Sequence, residues 1–383
     1  MKLSKSFIGL VTVSTIFMLY ASGLYKNLQS DSALEIVDFS IAKPASEKNI
    51  PSNPDRVPLY GDLHVHTKYS FDAYIFGVTA TPYDAYKYAI GEAIKHPLGF
   101  DMKLKEPLDF YAVTDHGFYM GMIENYADTS SKMSKNEWTM PMHNLNRPEN
   151  VTVESLGARA DLFSSVLTQA IIKPYPYWHP KVWKAWLTNN IQVALQSFDY
   201  DVHKSAWADV ANAAEEFNDP GNFTTFIGYE FTTSTDVEGG NLHRNVIFDS
   251  SKAPIRPWTR IDSLNPEDLW TWMDGLRDQG LDSLAMPHNS NGSNGQMFEV
   301  ETFIGSAISK EYSEKRMRNE PVVEITQIKG TSDTHPLLSP DDEWADFEIM
   351  DKRVGSRPPT YSMPQGGYVR DAFLRGLTLE WKG

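Results

Sequence analysis

His64 and His66 stand one residue apart in the stretch LYGDLHVHTKYS, residues 59 to 70. Their alternation with Leu63 and Val65 predicts a strand, and side chains at i and i+2 of a strand project to one face. Two neutral imidazoles side by side suit a divalent cation, and the same pair would also suit a strand edge facing water. The rest of the chain weighs for the cation. Asp72 follows on the same loop, and DFYAVTDHG (109–117) is apolar until it ends in Asp115 and His116. FTTFIGYEF (223–231) delivers Glu230, NLHRNVIF (241–248) carries His243, and DSLAMPHNS (282–290) presents His288. PVVEITQIKGTSDTH (321–335) ends in Asp333 and His335. Each of these strand-like segments carries a candidate ligand at or just past its end, except that His243 lies near its segment's start.

The chain has no cysteine, so disulfides, thiolate zinc sites and cysteine nucleophiles are excluded. Any metal must be held by His, Asp and Glu, a donor set that suits Zn, Mn or Fe. One catalytic zinc needs three protein ligands and a water. The surplus here implies two or three divalent ions with a carboxylate such as Glu230 bridging them. Such clusters deprotonate water near neutral pH and clamp the attacking and leaving oxygens of a displacement, so the residues point to metal-assisted hydrolysis. Of the 10 histidines, His96, His143, His179 and His203 fall in helices or turns and read as surface or helix-end residues. Arg244 and Lys329 would hold a phosphate oxygen, or form surface salt bridges. Asp115 has three readings: a ligand, the partner that fixes the tautomer of His116, or a loop cap. The second is favoured.

These residues need a frame. From Val57 onward short apolar runs alternate with helical segments, the pattern of an α/β fold with a largely parallel sheet. In closed α/β barrels the active site forms at the C-terminal strand ends. Thr81-Pro82 and Asn265-Pro266 each open a helix, Gly280 closes the second, and Ser339-Pro340-Asp341-Asp342 opens a third. Residues 118–220 are too long for one connection and read as a helical insertion, either a covering layer or a lid. Its aromatic run from Tyr175 to Trp186 would stack against sugars or pack as core. Lys2 and Lys5 precede an uncharged run over 7–24, which predicts export by a signal peptide to the periplasm or beyond, or an uncleaved membrane anchor. Residues 25–57 hold Pro44, Pro51 and Pro54 and read as a linker or extended arm. A formal net charge of −15 argues against nucleic acid as a partner. A small phosphorylated substrate stays open, because bound cations reverse the field of an acidic site. The oligomeric state is left open.

GDLHVHTKYSFDA, AVTDHG, GYEFT, LHRNVIF and PHNSN, in that order, resemble the motifs of the PHP (polymerase and histidinol phosphatase) superfamily, and more closely its exported DUF3604 branch. The resemblance spans residues 57 to 380. It implies a distorted (β/α)7 TIM-like barrel over residues 58–383 and a di- or trinuclear metal centre that hydrolyses phosphoesters. His64, His66, Asp72, His116, Glu230, His243 and His288 match the ligand positions of that family. Two departures stand out. Phe71 intervenes between Ser70 and Asp72, so Asp72 would reach the metal only from a bulged strand end. Asp333-Thr-His335 has the form of the closing motif, but DUF3604 proteins carry a second such element later, which would make this chain a C-terminally truncated piece and Asp333 and His335 look-alikes. Two alternatives remain: an amidohydrolase-type barrel, disfavoured because Glu230 stands where that family has a lysine, and a non-catalytic module that binds metal or carbohydrate.

Overall fold

Eight short strands position the candidate residues: Ile36–Asp38 (β1), Gly61–Val65 (β2), Phe110–Val113 (β3), Thr224–Thr225 (β4), Gly228–Phe231 (β5), Arg244–Phe248 (β6), Lys252–Pro254 (β7) and Ser283–Pro287 (β8). The computed structural model describes residues 33–41, 56–169, 180, 183–184, 187, 198–234, 240–353 and 359–382. The run over 7–24 and the aromatic stretch 175–186 lie outside them, apart from the isolated positions named. Among the described residues no helix is long and apolar enough to cross a membrane.

β3 lies between β2 and β4, parallel to both. The parallel alignment continues through a bridge between His116 and Glu230, which sets the ends of β3 and β5 side by side. From β5 the direction reverses: β6 is antiparallel to β5, and β8 is antiparallel to β6. The expected sheet was largely parallel, and these two ladders differ from that. A parallel return needs a crossover of a dozen or more residues, usually helical. The residues between Phe231 and Arg244 only just reach that length and carry no helix among those described. The reversal explains why His243 precedes its strand. The start of β6 faces the ends of β5 and β8, and Arg244 pairs with both Phe231 and Pro287. All the strand ends that carry ligands therefore meet at one edge. The sheet curls enough for Asn245 Nδ2, on β6, to donate to the Leu63 carbonyl of β2 at 3.0 Å.

The main core joins the sheet to the helices Pro82–Ala89, Tyr200–Phe217 and Pro266–Arg277 through Tyr86, Trp207, Val210, Phe248, Leu269 and Leu276. Tyr200–Phe217, expected inside the insertion, thus packs largely in the main core. A second core of Phe71, Ile75, Phe118, Tyr119, Tyr126 and Val166 holds the rest of the described insertion against the site. The first two helix signals act as expected. Thr81 and Asp84 form a capping box, and Asn265 accepts from the Glu267 N–H. Ser339-Pro340 opens only a chain of turns. Asp342 Oδ1 accepts from the Trp344 N–H at 3.0 Å, competing with a helical ladder. Part of the expected arm is docked: β1 pairs with β7, and the Ala33 carbonyl accepts from Trp272 Nε1 at 2.8 Å.

Candidate metal centre

Glu230, on β5, is the hub. Its side chain is 1 % exposed, and five histidines surround it. His116 Nδ1, His243 Nδ1 and His288 Nε2 lie 3.1, 2.5 and 3.2 Å from Oε1. His64 Nε2 and His66 Nε2 lie 3.4 and 3.2 Å from Oε2. The two strand-mates thus share a face as their spacing predicted. Despite this crowd, neither Glu230 oxygen nor either ring nitrogen of His288 has a well-formed hydrogen bond.

The outer partners explain why. His64 Nδ1 lies 2.8 Å from Glu324 Oε2, a carboxylate that can only accept, so Nδ1 carries the proton and Nε2 the lone pair. Ser70 Oγ donates to Asp72 Oδ1 at 2.8 Å and therefore accepts from His66 Nδ1 at 3.0 Å, which leaves the His66 lone pair on Nε2 as well. Both lone pairs face the anionic Glu230 Oε2. Acceptor against acceptor is repulsive unless a cation sits between them. In the metal-free protein a proton serves. Burial disfavours charge on His64, but hydrogen bonds to Glu230 and Glu324 outweigh it and push its pKa up to about 9. At His116 burial is likewise overcome, by the charges of Glu230 and Asp72, to about 10. Burial prevails at His243 and His288, which fall to about 4 and about 3 although Glu230 opposes it. The histidines hold the Glu230 carboxyl well below its ordinary range against the effect of burial.

Three groups have ligand atoms within 4.8 Å of one another: His64, His66 and Glu230; His66, Asp72 and His116; and His116, Glu230 and His243. Several buried His, Glu and Asp side chains therefore lie at metal-binding distances, and the orphaned atoms of Glu230 and His288 fit a cation. Asp72 arrives by a route other than a bulge. It sits in the first turn of the helix Phe71–Ile75, with Oδ2 3.2 Å from His116 Nε2.

The remaining candidates scatter. Asp115 takes the third of its readings: it accepts from the Thr67 N–H at 2.5 Å and from the Thr67 hydroxyl at 2.6 Å, pinning the loop next to His66. Burial raises its carboxyl to about 6, the Thr67 hydrogen bond opposing. Lys329 lies close enough for its charge to help depress His243. Arg244 is turned away, its side chain 3 % exposed and paired with Glu320. Asp333 pairs with Arg370 at 2.5 Å, and His335 packs on Tyr368 with its Nδ1 accepting from the Leu337 N–H. Neither joins the described cluster. The carboxylate that does come from this stretch is Glu324, which the sequence reading passed over. Its backbone N–H donates to the Pro287 carbonyl at 3.0 Å, laying residues 321–325 beside β8. The signal was a lone carboxylate inside the apolar run Val322–Ile325. Ser70 and Thr232, the latter 2.5 Å from His116 Nδ1, were also passed over.

No curated protein and no solved structure matches the chain. Residues 53–383 do match a family described as "Protein of unknown function (DUF3604)", and the histidine and carboxylate cluster lies inside the matched region, so the chain belongs to the DUF3604 family.

Proposed function

We propose that this chain is a metal-dependent hydrolase of phosphoesters, of the PHP type, holding two divalent ions on a barrel-like α/β frame. The observation that carries the reading is the convergence of the His64 and His66 lone pairs on Glu230 Oε2. The count follows from donor chemistry. A neutral imidazole offers one lone pair, so His66 and His116 can each serve one ion. The two triads that share only Glu230 can be filled together, and the third, on His66, Asp72 and His116, competes with both. Zn, Mn and Fe all suit the donors. Ions so bound lower the pKa of a coordinated water towards neutrality and polarise a phosphoryl oxygen.

The chain's own residues do the rest. Glu324 and Ser70 fix the Nδ1 protons of His64 and His66, and Asp115 fixes the loop between them and the Phe71 helix. Lys329 would hold a substrate phosphate oxygen. Arg244 would not, because it faces away.

The test is elemental analysis of protein purified without chelators, joined to a panel of phosphomonoesters, phosphodiesters and amides. Two ions per chain and turnover of a phosphoester are expected. Glu230→Gln should lose metal and activity together, by more than about 100-fold. Turnover of amides alone would favour the amidohydrolase alternative, and two ions without any turnover a non-catalytic module. Less than one ion per chain would sink the reading.

A further inference from the structure

Arg244 follows His243 in the chain, but alternation along β6 turns its side chain to the other face of the sheet. There it lines a cavity of about 210 Å³. Two guanidiniums share one carboxylate at the floor. Arg244 Nε lies 2.7 Å from Glu320 Oε1, and Arg316 Nε lies 3.1 Å from Oε2. Trp270 Nε1 also donates to Glu320, at 2.8 Å. The Arg244 and Glu320 side chains are 3 % and 2 % exposed. Arg244 Nη1 also donates to the Leu242 carbonyl and Arg316 Nη2 to the Met297 carbonyl at 2.8 Å, but these are neutral acceptors, so two cations still face one anion at the floor, where water screens them poorly and an anion is favoured.

The exposed part of the lining has the opposite sign. It includes Glu299 and Glu301, and the half-buried Glu267, whose Oε1 accepts from the Phe303 N–H at 2.5 Å, lines the cavity too. Burial and then the neighbouring Glu301 raise the Glu299 pKa, with Arg375 opposing, so the two carboxylates repel and favour a cation between them. Buried Leu242 and Trp270, which touch Arg244 and Glu320, supply apolar lining beside the floor.

We propose that this cavity binds a small zwitterion with its charges at opposite ends of a short carbon chain, a compound of the ω-amino-acid class. The carboxylate would meet Arg244 and Arg316, the carbons Leu242 and Trp270, and the ammonium Glu299 and Glu301. The site lies on the back of the strand that His243 precedes and does not depend on the hydrolase reading.

The test is calorimetric titration of the full chain with 4-aminobutyrate and 6-aminohexanoate, each beside its des-amino counterpart, butyrate and hexanoate. Saturable binding of at least one ω-amino acid is expected, at least about tenfold tighter than its des-amino partner. Glu299→Gln with Glu301→Gln changes only exposed side chains and leaves Glu267 in place; it should reduce that preference by at least about threefold while leaving metal content unchanged. Binding of neither ω-amino acid would overturn the proposal. Equal binding of the des-amino acid would mean a simple anion site, and an unaltered preference in the double variant would place the ligand elsewhere; either result also overturns it.

Discussion

The five histidines around Glu230 differ in what holds their outer nitrogens. His64 has a carboxylate, Glu324, and His66 a serine hydroxyl, Ser70, while the His288 ring nitrogens have no hydrogen-bonded partner among the described residues. An outer carboxylate fixes the tautomer and raises the basicity of the ring it holds. Glu324→Ala should therefore weaken metal binding by about 10–100-fold, and Glu324→Gln, which can still accept from Nδ1, by less. Competition with a chelator of known affinity measures both, and an alanine variant with wild-type affinity would remove Glu324 from the site. The same residue marks a limit of the sequence. The histidines were readable because paired imidazoles at strand ends have few other uses. Glu324 was not, because a glutamate within an apolar run also reads as the solvent side of a strand. Only the pairing of its backbone with Pro287, a contact between distant segments, brings it to His64 in place of Asp333 or His335.

Elements carry the ligands with unequal security. The strands are tied by ladders, but Asp72 depends on Phe71–Ile75, a helix of 5 res too short to persist alone. Packing holds it. Phe71 and Ile75 are buried, and the Phe71 ring stacks on Phe163 at 5.9 Å and lies 4.8 Å from the His116 ring. The inserted residue that looked like a defect in the motif is thus what anchors the helix. Phe71→Ala should cost about 3–5 kcal/mol in denaturant unfolding. It should also free Asp72 and the His116 ring, loosening the group of His116, Glu230 and His243 while the group of His64, His66 and Glu230 still binds. Metal titration would show the weaker component lost and the stronger kept, whereas Phe71→Leu should retain both. An alanine variant with two unchanged binding steps would show that the helix needs no such anchor. A cap followed by a proline marks helix starts at Thr81-Pro82 and Asn265-Pro266 but not at Ser339-Pro340, where the Asp342 side chain competes for the backbone. Strand direction was not legible: nothing local in NLHRNVIF says that it runs against its neighbour, and the reversal rests on pairing with Phe231 and Pro287, which lie outside that segment.

For the molecule as a whole, the site's charges set a pH dependence that reverses near the ordinary histidine pKa, about 6.5. In the metal-free protein His64 and His116 titrate at about 9 and about 10. The native state then holds protons that the unfolded state has released, so their contribution is fully present below about 6.5 and is lost as pH rises through 9 to 10. His243 and His288 titrate at about 4 and about 3, so their contribution is present above about 6.5 and is lost as pH falls through those values. Glu230, held below its ordinary range, adds to the loss on the acid side. Chelated protein should therefore be most stable near pH 6.5 and fall off in both directions. Metal changes the alkaline limb most. Binding must displace the protons of His64 and His116, so affinity should rise with pH from about 6.5 to 9, and about two protons should be released per chain at pH 7.5. Unfolding midpoints of chelated and metal-loaded protein from pH 4 to 10 measure the first effect, and calorimetry in buffers of different ionisation enthalpy measures the second. A stability difference between the two forms that does not grow from pH 6.5 to 9 would mean that the bound cation does not replace these protons, and that the carboxylate at the centre is not what holds it.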